Sequence, residues 1–207
     1  MGTNIENIKI GTSEDSIMSS NCMPPIVWKC IRGGIDTPTN LIYENRRSGV
    51  QIDRSVDLMF SKSKATVETR KKAVLAAMSP RQLGFDENPS TEEILNTSRL
   101  QKWSADNSPS WNLTLCPPII GLALRKQYLD QACGENIWIA MEPVLSNGNQ
   151  PEVLKLSRDR SGAVRLTTEI VPWFARWSSD CVLVFLVVRR DRMPNRTPQQ
   201  LHENLHS

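Results

Sequence analysis

His202 and His206 are four residues apart, a spacing that stacks two imidazoles on one face of a helix. Such a pair could give zinc or copper half of a site, with Glu203 the one nearby further ligand. A polar tail following Pro194 and Pro198 is the simpler description of the same residues. Both histidines lie in the last six positions, so the first 201 residues hold no side chain that titrates near neutrality unperturbed. Acid–base, nucleophile-activating and metal sites mostly use one. A body without it suits holding or covering something better than transforming it. The expectation is a protein that is not an enzyme and uses neither metal nor cofactor.

Other groups could still do chemistry. Glu142 and Glu169 fall on strand-like runs and could face each other across a sheet, the pairing a carboxylate-only enzyme of the glycosidase kind needs. Glu92 and Glu93 sit at a helix start, where capping and the helix dipole account for them. The five cysteines (Cys22, Cys30, Cys116, Cys133, Cys181) are odd in number and widely spread, with no C-x-x-C pair. They read as free, mostly buried thiols of a reducing compartment. Gly33-Gly34 lacks the lysine and hydroxyl residue of a phosphate loop.

Two further groups suit contact. Residues 46–81 carry nine cations, Arg46, Arg47, Arg54, Lys62, Lys64, Arg70, Lys71, Lys72 and Arg81, against Asp53, Asp57 and Glu68. All but Arg81 are candidate contacts to an anionic surface, either RNA or acidic lipid; a solvated helix with ordinary surface lysines is the plainer reading. Binding of this kind is phosphate-directed and strongly salt-dependent. Trp173, Phe174 and Trp177, with Arg176 among them, resemble a protein-contact patch. Rings that cap the core beneath a long connection are the plainer reading.

The elements that must position these residues follow from pattern. The 207 residues fit one domain, with 39% apolar and 23% charged residues and a net charge of +3. We expect a flexible leader over 1–24, a single α+β domain over 25–190 and a polar tail over 191–207. Strands are predicted at 26–31, 40–44 and 49–53, and helices at 65–78, from Ser90 to about 103, and at 119–133. Ser90 followed by Glu93 has the form of a capping box. Four strands then follow at 137–145, 152–158, 163–171 and 181–188, joined by polar turns as in an antiparallel meander.

Alternation points Leu154, Leu156, Val164, Leu166 and Ile170 one way, and Lys155, Ser157, Arg165, Thr167 and Glu169 the other. The 158–163 hairpin should then close with a loop of three or five residues, with Gly162 at its positive-φ or bulge position. The run 181–188 shows no alternation, so it needs cover on both faces and a strand beside it, for which 26–31 is the best candidate. The fold expected is a mostly antiparallel sheet, the four-strand meander plus the N-terminal strand, with helices packed on one face.

The longest apolar run, eight residues, is too short to span a bilayer. With no signal peptide in the polar N-terminus, an intracellular protein, cytoplasmic or nuclear and not secreted, is expected. The function expected is a binding and assembly protein that self-associates into a homo-oligomer and touches nucleic acid or acidic membrane through the basic segment. Small viral matrix proteins share that architecture, an analogy no motif here supports. The alternatives are a protein-interaction adaptor or host-factor antagonist without nucleic-acid binding, and an unrecognised carboxylate- or cysteine-based enzyme.

Overall fold

The computed structural model describes residues 28–32, 36–62, 72–108, 110–145 and 150–190, residue 62 by its backbone alone. The leader, the polar tail with His202 and His206, Cys22 and the cations Lys64, Arg70 and Lys71 lie outside the described residues. In chain order the elements are β1 (Lys29–Arg32), α1 (Pro38–Arg47), β2 (Gln51–Ile52), α2 (Arg54–Lys62), β3 (Lys72–Met78), α3 (Thr91–Ile94), α4 (Thr97–Asn107), β4 (Trp111–Thr114), α5 (Ile119–Gln127), β5 (Asn136–Ile139), β6 (Val144–Leu145), β7 (Pro151–Arg158), β8 (Val164–Ile170) and β9 (Val182–Arg189). The fold is α+β. Its strands form one mixed sheet in the order β1-β3-β9-β5-β7-β8-β2, with β4 beside β9 and β6 beside β7.

The β7–β8 hairpin follows the sequence pattern. Arg158 faces Val164 across the ladder, so residues 159–163 make a five-residue loop, and Gly162 takes φ 88°. Leu154, Leu156 and Leu166 are fully buried, while Lys155 and Glu169 form an ion pair at 2.8 Å. Asp159 organises the loop, accepting from the Ser161 hydroxyl and the Ala163 amide and pairing with Arg165 at 2.8 Å.

The expected four-strand meander breaks at β9. Its β5–β7, β6–β7 and β7–β8 ladders are antiparallel, but β9 lies parallel to β5 and antiparallel to β3 and β4. One edge of β9 is taken by β3. The other is shared by β5 along residues 182–184 and β4 along 186–189. The N-terminal strand, expected beside β9, does not pair with it; β1 pairs with β3, which stands between them.

That correction follows from another. Residues 72–78, predicted as the end of a helix, are strand β3. Lys-Ala-Val-Leu-Ala-Ala-Met has good helix formers, but propensity yields when both backbone edges find partners, here β1 and β9. The opposite error occurs at residues 40–44, predicted as a strand. They lie in α1, whose Thr37 side chain accepts from the Asn40 amide at 3.2 Å and whose Pro38 occupies the first turn. The predicted strand at 49–53 shrinks to β2, which pairs in parallel with β8.

The capping box at Ser90 and Glu93 is present, but it opens only α3; Asn96 caps α4 anew, accepting from the Arg99 amide at 3.0 Å. The predicted 119–133 helix ends at Gln127, and Gly134 instead occupies a turn closed from the Glu135 amide to the Ala132 carbonyl.

Helix α5 is buried from Ile119 to Arg125 and lies directly on the sheet. Gly121 permits this: a β-carbon there would sit 2.6 Å from Leu154 Cδ1 and 3.3 Å from Ile139 Cγ1. Leu154 and Ile139 therefore mark the α5 face. By alternation Lys155 and Trp138 belong to the other face. There the Trp177 ring packs edge-on to Trp138 at 5.7 Å, and Trp177 in turn donates to Thr91 of α3. Helices thus lie on both sides, not on one, because the connection between β3 and β4 places α3 over the second face, where it bonds to the β8–β9 connection. Among the described residues no helix is long and apolar enough to cross a membrane.

Candidate protein-contact site

The chain leaves β8 at Val171, whose amide donates to the Pro151 carbonyl, and turns at once. The Ala175 amide donates to the Pro172 carbonyl at 2.8 Å, closing a β-turn over 172–175. The two central positions of such a turn point away from the body. They usually hold proline, glycine, asparagine or aspartate. Here they hold Trp173 and Phe174, which are 48% and 83% exposed.

The turn is rigidly mounted. The first amides of α3 have no partner within their own helix. Thr91 donates to the Ala175 carbonyl at 3.0 Å and Glu92 to the Trp173 carbonyl at 3.1 Å. The Glu93 amide donates to the Ser90 hydroxyl, and Glu93 accepts from the Ser90 amide. That amide, with the hydroxyl and the Arg176 and Arg99 charges, holds the Glu93 carboxyl below its ordinary range. Further along, the Trp177 amide donates to the Pro89 carbonyl at 2.9 Å and Arg176 donates to the Asn88 carbonyl at 3.0 Å. The aromatic tip therefore stands on a fixed base and loses little freedom when something covers it.

The structure splits the three aromatics that the sequence grouped. Trp177 is 7% exposed and belongs to the core, its indole N–H donating to the Thr91 hydroxyl at 2.9 Å. It is not available as a contact residue. Its buried N–H needs a partner, and Thr91 supplies it. Trp173 and Phe174 remain at the surface, joined at the same sheet end by exposed Leu145 and Ile170. The sequence reading named Trp173 and Phe174 but missed Leu145 and Ile170, which the sheet register alone brings to that end.

The basic segment is also divided. Arg46 pairs with Asp57 at 2.6 Å, and Arg47 and Arg54 are exposed near it at the corner of α1, β2 and α2. Lys72 lies on β3, opposite Arg32, five strand positions from β2. At ~4.8 Å per strand that is roughly 24 Å across the sheet. Among the described residues Lys72 is thus no part of that corner. Lys72 and the neighbouring cations of edge strand β1 resemble the charges that discourage edge pairing.

The two carboxylates are not brought together. Glu169 accepts from the Trp138 indole at 3.1 Å and pairs with Lys155. Glu142 instead edges an open cleft of about 370 Å³, lined also by Leu115, Cys116, Pro117, Pro118, Pro143 and Val144. The Cys116 thiol donates to the Val184 carbonyl at 3.4 Å, and burial pushes its pKa up, which keeps it protonated. Among the described residues no group of three or more metal-ligating side chains gathers.

One polar group is unusual. Arg125 is fully buried on α5 and donates to Gln131 at 2.6 Å, while its Nε and Nη2 meet no acceptor. Burial pulls its pKa down to about 10. Gln131 bonds on to the Glu135 and Leu156 carbonyls, and Arg158 reaches the Gln131 carbonyl. This network ties the end of α5 to the β7–β8 hairpin.

No protein-family model, no curated protein and no solved structure matches this chain.

Proposed function

We propose that this chain is a binding and assembly protein, matrix-like in kind, that self-associates through the Trp173–Phe174 turn and touches an anionic surface through Arg46, Arg47 and Arg54. The observation that carries the reading is the aromatic tip. Two large rings occupy turn positions where folding has no use for them, on a base that consumes three backbone hydrogen bonds and a buried tryptophan. Rigid aromatics with fixed orientation are the residues that dominate protein interfaces, each worth ~2 kcal/mol or more when truncated.

The anionic contact rests on less. Arg47 and Arg54 have no ion pair among the described residues, and Arg46 has one. Charges of this kind release counterions from a phosphate backbone and give binding that weakens steeply with salt.

Size-exclusion chromatography with light scattering, with and without a single-stranded RNA, tests both parts. Wild type should elute above monomer mass and carry RNA at low salt. Trp173→Ser with Phe174→Ser should return the mass to monomer and leave the unfolding transition in place. Arg47→Glu with Arg54→Glu should release RNA and keep the mass. A wild-type chain that stays monomeric at every concentration refutes self-association, and the tip then belongs to an adaptor that contacts a different protein.

A further inference from the structure

Resting on that self-association, we infer that the occupant of the proline-edged cleft is the Trp173–Phe174 turn of a second copy of this chain, exchanged reciprocally across a two-fold axis. The cleft and the tip match in polarity. Leu115, Pro117, Pro118, Pro143 and Val144 give an apolar lining, and the three proline rings hold the walls stiff. Its volume of about 370 Å³ falls within the range of sites that hold a ligand side chain or small molecule, ~300–1,000 Å³. Phe174 is the most exposed of the large apolar residues, and at 83% exposure it does not fill its own molecule's cleft.

Charge agrees. Glu142 sits exposed at the cleft with no ion pair among the described residues. Two residues beyond Phe174, Arg176 has its side chain 65% exposed and meets Glu93 only at 3.5 Å. A close guanidinium–carboxylate bond is ~2.7–2.9 Å. The tip therefore carries an incompletely paired cation behind its rings, and the cleft carries a carboxylate at its rim.

Placement decides the symmetry. Val144 of the cleft faces Glu152, which faces Ile170, the residue before the chain turns toward the tip. Cleft wall and turn base are thus two strand spacings apart, about 10 Å, at one end of the sheet. A single patch that holds both donor and receptor can pair with its own copy about a two-fold axis, the isologous contact of a closed dimer. From the exposures, and ~150–250 Å² per fully covered aromatic, the tip offers about 300 Å². Tip, cleft and Leu145 together stay well below the ~800 Å² per partner of a standard interface, so the dimer is a weak, concentration-dependent one.

Sedimentation equilibrium on the full chain tests this. Glu142→Arg and Arg176→Glu, each alone, should raise the dimer dissociation constant about tenfold or more. The two combined in one chain should return it to within about threefold of wild type, which a merely structural defect at either residue would not do. As a second arm, Phe174→Ser and Val144→Arg chains should each be monomeric alone and form a weak dimer when mixed, because one tip and one cleft remain intact. An unchanged constant in Glu142→Arg, or a failure of the double variant to recover, overturns the cleft as the receptor. If Trp173→Ser with Phe174→Ser still abolishes the dimer in that case, the tip reading stands without it. If wild type does not associate at all, both fall.

Discussion

Gly121→Ala is the sharpest probe of how α5 meets the sheet. On an open helix the change stabilises by ~1 kcal/mol, the difference in helix propensity. On α5 the added methyl would sit 2.6 Å from Leu154 Cδ1, 3.3 Å from Ile139 Cγ1 and 3.4 Å from Leu154 Cβ. Ordinary carbon contacts are ~3.5–4.0 Å. Leu154 Cδ1 ends a flexible side chain, but Leu154 is fully buried and Ile139 nearly so. Neither can swing into solvent. Overpacking of this kind costs ~1–3 kcal/mol, which exceeds the propensity gain.

We expect Gly121→Ala to lose about 1 kcal/mol in urea unfolding, with an unchanged m-value. Leu154→Ala alone should cost ~2–5 kcal/mol. In the double variant the new methyl enters the space that Leu154 vacates, so the combined loss should fall about 1 kcal/mol short of the sum. A Gly121→Ala protein more stable than wild type, or strictly additive losses, would refute the packing described.

Two further outcomes follow from the titrating groups. The Asp159 carboxyl is held below the ordinary carboxylate range, first by the Ser161 hydroxyl and then by Arg165. A carboxylate whose folded pKa is depressed contributes stability above its unfolded value, ~3.9, and loses it as the pH falls toward the folded one. Asp159→Asn should therefore be less stable than wild type at pH 6 by thermal unfolding. The gap should narrow below about pH 4; a gap that widens on acidification would contradict the assignment. Thiol labelling followed by site-resolved mass spectrometry should modify exposed Cys30 and Cys133 first. The Cys181 pKa is pushed up to about 12, mainly by burial, and Cys116 is raised further. At pH 8 a thiol of pKa about 12 is only ~10⁻⁴ thiolate, so rapid labelling of buried Cys116 or half-buried Cys181 in the native chain would contradict these surroundings.

The legible parts of the fold were those where one local rule acted alone. Alternation in residues 152–158 and 164–170 fixed both faces and the parity of the hairpin loop, since opposed residues must share a face. The unbroken apolar run ending at Val188 implied cover on both faces and partners on both edges, and β9 has both. It could not name the partners, because any strand offers the same backbone. Residues 72–78 were misread for the same reason: alanine and methionine favour a helix, and only the neighbours β1 and β9 make them a strand. At the site, Trp173, Phe174 and Trp177 are close in sequence, but the turn at 172–175 sends the third ring inward. The cations of residues 46–81 are contiguous in sequence, yet the sheet sets Lys72 apart from Arg46, Arg47 and Arg54. Arg125 could have been found, since it lies three residues after Leu122 on a helix whose apolar face is plain.

Hydroxyl-radical footprinting of the intact chain, read residue by residue in dilute and in concentrated solution, measures most directly whether the turn is where copies meet. Oxidation at Trp173 and Phe174 should drop several-fold on concentration, while buried Trp177 stays low in both. Rings oxidised equally at both concentrations, in samples whose mass has risen, would mean that the chain assembles through some other surface.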